Sequence, residues 1–158
     1  MNMFARFEWL MVMIMTKITG TDIAHLSMMT AELPYRGKRD TTLALLKLGT
    51  LPPENVERVI WFLGELHKWN KLRNSIAHSA WKEGARPRSI KPLGLSVRGG
   101  TVTATGLDPD ERDYTDEELL DIADELISLH TRFQEYLYSV DLLPKCPSEN
   151  ILNPLNRL

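Results

Sequence analysis

The chain has 158 residues, 43% of them hydrophobic, and a formal net charge of −2. That length and apolar content suit one globular domain with a sizeable core, and the near-neutral charge argues against a protein that coats nucleic acid over its whole surface. Cys146 is the only cysteine, which excludes an intrachain disulfide and a cysteine-based metal site and points to a cytoplasmic setting.

In chain order, the unbroken apolar run from Trp9 to Met15 is too short to span a bilayer. Arg6 and Glu8 lie upstream of it and no small-residue cleavage pattern follows, so it reads as a buried first helix rather than a signal peptide or anchor. Asp22 to Leu33 reads as a helix stopped by Pro34, and Lys38 to Leu48 as a helix closed by Gly49 at a C′ position. The longest helical pattern opens at Pro52-Pro53 and continues to Trp81, with prolines suited to a first turn. The period then changes. Leu95 and Val97 alternate with Ser96 and Arg98, Gly99-Gly100 supplies a turn, and Val102 and Ala104 alternate on the return, which predicts a β-hairpin. Thr115 and Glu118 form a capping-box pattern ahead of a long final helix carrying Leu119, Ile122, Leu126, Phe133, Leu137 and Val140 on one face. The fold class expected is mainly α, an antiparallel helical bundle with a β-hairpin inserted before the long C-terminal helix. Residues 1–143 would form one domain and 144–158 an irregular tail with Pro144, Pro147 and Pro154.

The spine helix carries the chemistry. With Val56 as the origin and about 100° of rotation per residue, Val59, Ile60 and Leu63 fall within about 60° of one direction. The same stripe continued is occupied by His67, Asn70, Asn74, Ala77, His78 and Trp81, so an apolar face becomes a polar seam. Polar groups in an apolar stripe are costly unless paired or used. Asn74 and His78 stand four residues apart, one above the other. Arg73 diverges from His78 by about 140° on an ideal helix, so a second copy facing the first across a two-fold axis would complete a site needing all three. That spacing predicts a homodimer.

Arg73-Asn74-Ser75-Ile76-Ala77-His78 resembles the R-N-x-x-x-H motif of the HEPN (higher eukaryotes and prokaryotes nucleotide-binding) superfamily. The helical setting of the motif is similar to HEPN domains over Asp22 to Val140, with the hairpin as an elaboration. The resemblance implies a metal-independent endoribonuclease of toxin or defence type, working as a homodimer, cleaving RNA and paired with a cognate antitoxin. It implies Arg73, Asn74 and His78 as the catalytic set, without cofactor or metal. The residue types suit that chemistry: histidine changes charge near neutrality, arginine holds a phosphate bidentately, and an asparagine amide both donates and accepts. The RNA's own 2′-OH would be the nucleophile. The alternative is a non-catalytic HEPN-like module that uses the same seam to bind RNA, a nucleotide or a protein partner.

His67, Asn70 and Glu8 are secondary candidates, read first as satisfied polar residues, with Glu8 able to complete a helix-locking network around the seam. Downstream, Lys82, Arg86, Arg88, Lys91 and Arg98 form a basic segment suited to an RNA backbone, with Lys82, Arg86 and Arg88 as the RNA-binding candidates. The following acidic segment, Asp108, Asp110, Glu111, Asp113, Asp116, Glu117 and Glu118, offers the competing outcome of mutual neutralisation. No glycine-rich phosphate loop, zinc-ligand spacing or serine-hydrolase elbow is present.

Overall fold

The computed structural model describes residues 3–49, 51–78, 80–93, 95–98, 101–104 and 112–143, with backbone only for 75–78, 93, 95–98 and 101–104. The predicted tail, 144–158, and the turn at Gly99-Gly100 lie outside the described residues. The protein is mainly helical with a small antiparallel sheet: α1 (Met3–Thr19), α2 (Ile23–Thr30), α3 (Tyr35–Leu48), α4 (Pro53–His78), β1 (Ala80–Glu83), β2 (Ser89–Leu93), β3 (Leu95–Arg98), β4 (Thr101–Ala104), β5 (Tyr114–Thr115) and α5 (Asp116–Ser139). The chain divides into two compact units, one made of residues up to Ile60 and from His130 onward, the other of Trp61–Leu129.

In the first unit, α1 supplies the core. Phe7, Leu10, Met11, Ile14 and Met15 are fully buried, whereas Trp9 is 45% exposed. The run from Leu10 to Met15 is thus a buried helix, as its length demanded. Gly20, in the left-handed region at φ 66°, ends α1 and its N–H bonds back to Thr16. The Asp22 carboxylate caps α2, accepting from the N–H groups of Ala24 at 2.9 Å and His25 at 3.3 Å. α2 ends at Thr30, earlier than Pro34 would require, and α3 begins directly after Pro34 at Tyr35, because proline's fixed φ suits the entry to a helix. Gly49 closes α3 in an extended rather than left-handed conformation. Its constraint is space: a Cβ there would lie 3.3 Å from Ile18. α5 finishes in the same unit with Phe133 and Leu137 buried, and the Tyr136 hydroxyl reaches the Asn55 side chain at 3.1 Å.

The second unit holds a three-stranded antiparallel sheet in the order β1-β2-β5 and the separate β3-β4 hairpin. The hairpin has the expected pairing, Leu95 opposite Ala104 and Val97 opposite Val102. The three-stranded sheet corrects the reading of α4, which stops at His78 rather than Trp81; Trp81 stands on β1, opposite Pro92. Pro92 is tolerated inside β2 because β5 pairs only with Ser89 and Ile90, so no ladder bond is asked of a proline nitrogen on that side. Among the described residues no helix is long and apolar enough to cross a membrane.

Candidate functional site

α4 buries Val59, Phe62, Leu63 and Leu66, the i, i+3, i+4, i+7 pattern of one helix face. This face is rotated from the one drawn through Val56 and Ile60, for Ile60 is 37% exposed. With Leu66 as the origin, Arg73 lies about 20° from the centre of the buried stripe and Asn70 about 40°. Asn74, His67 and His78 lie about 80° to 120° to one side of it. Asn74 and His67 therefore flank the buried stripe of α4, whereas Arg73 and Asn70 continue it as polar residues. Asn74 is exposed, while Arg73, His67 and Asn70 are half-buried. His78 is the last residue of α4, and its side chain lies outside the described residues.

Arg73 Nη1 donates a hydrogen bond to Asn74 Oδ1 at 2.9 Å. Neighbouring residues do not share a helix face; the length of the arginine makes this contact. Asn74 Oδ1 is thus engaged in orienting the guanidinium, and among the described residues its amide NH2 has no acceptor. Glu8, in the first unit, is bonded by Lys38 Nζ of α3 at 2.6 Å.

The basic segment divides into two kinds of cation. Arg86 bonds Glu118 through both Nη atoms, at 3.1 and 2.6 Å, and also donates to the Asp113 carbonyl. Arg112 approaches the same carboxylate at 2.7 Å, and Arg88 pairs with Asp116 at 3.1 Å. The acidic segment therefore neutralises Arg86 and Arg88, two of the three residues assigned to RNA. Glu118 also completes the capping box of α5: it accepts from Thr115 N–H at 2.9 Å, and its own N–H donates to Thr115 Oγ1 at 3.3 Å. Hydrogen bonds from Arg86 first, then from the Thr115 N–H and Arg112, hold its carboxyl far below the usual range.

Asp113, which the sequence offered only as one charge of the acidic segment, ties down the turn between β1 and β2. Its Oδ2 accepts from Ala85 N–H at 2.5 Å and Arg86 N–H at 3.4 Å, and the Ala85 bond is the largest cause of its lowered pKa. Ser89, only 3% exposed, adds a bond from its hydroxyl to the Arg86 carbonyl at 2.7 Å. In this turn Arg88 takes φ 57° after Pro87, the placement of a type II turn, which ordinarily favours glycine. Lys82, the third RNA candidate, is half-buried on β1 and has no ion-pair partner among the described residues. It lines a groove of about 560 Å³ with Trp81, Glu83, Arg88, Ser89, Ile90 and Asp116.

No family model, curated protein or solved structure matches the chain.

Proposed function

We propose that the protein is a HEPN-like, metal-independent endoribonuclease of toxin or defence type, acting in the cytoplasm as a homodimer with its helices in an antiparallel bundle. The observation that carries this reading is the 2.9 Å bond from Arg73 to Asn74 on the penultimate turn of α4, one turn ahead of His78. An arginine whose fork is pre-oriented loses less freedom when it takes a phosphate oxygen, and an exposed Asn74 leaves that phosphate a way in.

In the proposed reaction the RNA 2′-oxygen attacks the adjacent phosphorus, its proton passing to an imidazole. The P–O5′ bond breaks, and an imidazolium returns a proton to the leaving oxygen, giving a 2′,3′-cyclic phosphate and a free 5′-OH. The His78 side chains of two copies would take the two proton transfers, while Arg73 stabilises the charge growing on the phosphoryl oxygens. A cognate antitoxin would act by covering this flank of α4.

The test is incubation of the purified protein with total RNA in EDTA, beside His78→Ala. Cleavage is expected to persist with chelator, leave cyclic or 3′-phosphate ends, spare DNA and disappear in the variant. Activity lost in EDTA and restored by magnesium, or equal cutting of DNA, rejects the mechanism. RNA binding with no cleavage by the wild type supports the non-catalytic module instead.

A further inference from the structure

The register of β1 against β2 sets Lys82 directly opposite Lys91. Gly84 N–H bonds the Ser89 carbonyl at 2.8 Å, so Gly84/Ser89 is a hydrogen-bonded pair. Two residues further along, Lys82/Lys91 falls on the same kind of pair, with Cα atoms about 5.5 Å apart and side chains on one face of the sheet. Like charges directly opposite one another destabilise a sheet. Among the described side chains, Arg86 and Arg112 pair with Glu118 and Arg88 with Asp116, which gives those cations carboxylate partners. Neither lysine has a carboxylate within ion-pair distance among the described residues. Asp113 feels the Lys91 charge but spends its Oδ2 on the Ala85 and Arg86 N–H groups and Ser89.

Two ammonium groups on flexible stems, rooted side by side and without an ion-pair partner among the described residues, suit an anion with several oxygens between them. A phosphodiester backbone supplies such oxygens repeatedly. The position along the chain suits it: Lys82 follows His78 by four residues, a reach of at most about 14 Å, which a short stretch of single strand covers.

We infer that the Lys82/Lys91 pair on the three-stranded sheet is the contact for the RNA backbone beside the cleavage site, in place of Arg86 and Arg88. This assignment deepens the ribonuclease reading and takes the identity of the strand from it. The guanidinium groups of Arg86 and Arg88 hold the sheet to the start of α5; the two lysines meet the strand.

The experiment measures binding of a fluorescein-labelled 20-nucleotide single-stranded RNA by anisotropy, from 50 to 200 mM salt, with wild-type cleavage assayed in parallel. The double variant Lys82→Gln/Lys91→Gln should stay folded, with a melting temperature equal to or above that of the wild type once the facing charges are gone. Its slope of log affinity against log salt should be smaller by about 1.4, at about 0.7 per phosphate contact. The wild type's affinity advantage should therefore shrink about seven-fold across that salt range. Lys82→Arg/Lys91→Arg, which keeps both charges, should retain the slope. An unchanged slope in the glutamine variant, alongside RNA cleavage by the wild type, overturns the inference and leaves the ribonuclease reading standing. The expected loss of slope without any cleavage upholds the lysine contact and removes the ribonuclease reading. Failure of the wild type to bind the RNA overturns the inference.

Discussion

Replacing Gly84 with alanine probes the polar cluster that fixes the β1–β2 turn. A Cβ at Gly84 would stand 2.1 Å from Ser89 Oγ and 2.8 Å from Asp113 Oδ2, both far inside contact distance. The Gly84 backbone is outside the left-handed region, so the obstacle is space alone. Ser89 is 3% exposed and cannot swing into solvent. Relief requires its hydroxyl to leave the Arg86 carbonyl at 2.7 Å and the Arg86 N–H at 3.2 Å, and Asp113 to leave the Ala85 N–H at 2.5 Å. Three bonds at about 1 kcal/mol each, less about 0.4–1 kcal/mol gained by stiffening the unfolded chain, leave a loss of about 2 kcal/mol. In a chain of this size that is about 4–8 °C in melting temperature. Urea unfolding of the wild type, Gly84→Ala, Ser89→Ala and the double variant measures it as a cycle. Removing the serine oxygen should lower the cost of the alanine by at least about 1 kcal/mol. A Gly84→Ala protein within about 0.5 kcal/mol of the wild type, or an equal cost in both serine backgrounds, would refute the steric reasoning.

Arg73→Lys keeps the charge but loses the planar fork, so RNA cleavage should fall by at least about 100-fold with the circular dichroism spectrum unchanged; an unfolded variant would mean that Arg73 serves packing instead. His130 stands edge-on to Phe7 with ring centroids 5.2 Å apart, and burial, then the Arg6 charge, lowers its pKa below the ordinary value of 6.5. Above that value the imidazole is neutral in both states and contributes nothing. As pH falls through it, the unfolded chain takes up a proton that the folded one resists, so stability drops on acidification. Comparing urea midpoints at about pH 7.5 and pH 5.5, within the histidine range, His130→Gln should lose less than the wild type; equal losses would remove His130 as the cause. The Tyr35 hydroxyl is buried without a hydrogen-bond partner among the described residues, and burial pushes its pKa up to about 12. Tyr35→Phe, keeping the edge-on contact with Phe4 at 6.1 Å, should be neutral or stabilising by up to about 1 kcal/mol, and a loss of that size in denaturant titration would show that the hydroxyl is engaged.

Where local chemistry decides an element, the sequence was readable. The capping box at Thr115 and Glu118 forms with both of its reciprocal bonds, and the apolar run near the N-terminus is buried as α1. β1 was not readable, because Ala80 to Glu83 carries no strand period and Trp81 falls in step with the helix before it; only pairing with β2 makes it a strand. The seam was misdirected by its origin. Val56 sits in the first turns of α4, half-buried at the edge of the stripe, and an error of about 80° there carried Asn74 toward the core on paper when it faces solvent. Arg73 and Asn74 were legible as a pair of residue types, but the direction of their bond depends on rotamers that no spacing reveals. The contest between the basic and acidic segments turned on contacts such as Arg86 with Glu118, separated by 32 residues, a length of chain over which charge pattern gives no pairing.

Glu118 binds an arginine of the β1–β2 turn, a second arginine before β5 and the backbone of its own cap. One carboxylate thus joins the opening of α5 to a turn formed much earlier in the chain, and neither end can loosen while the other holds. The amide protons of Thr115, Glu118, Ala85 and Arg86 are therefore expected to exchange at similar rates, as one local unit, and widely different protection among them would separate the turn from the cap.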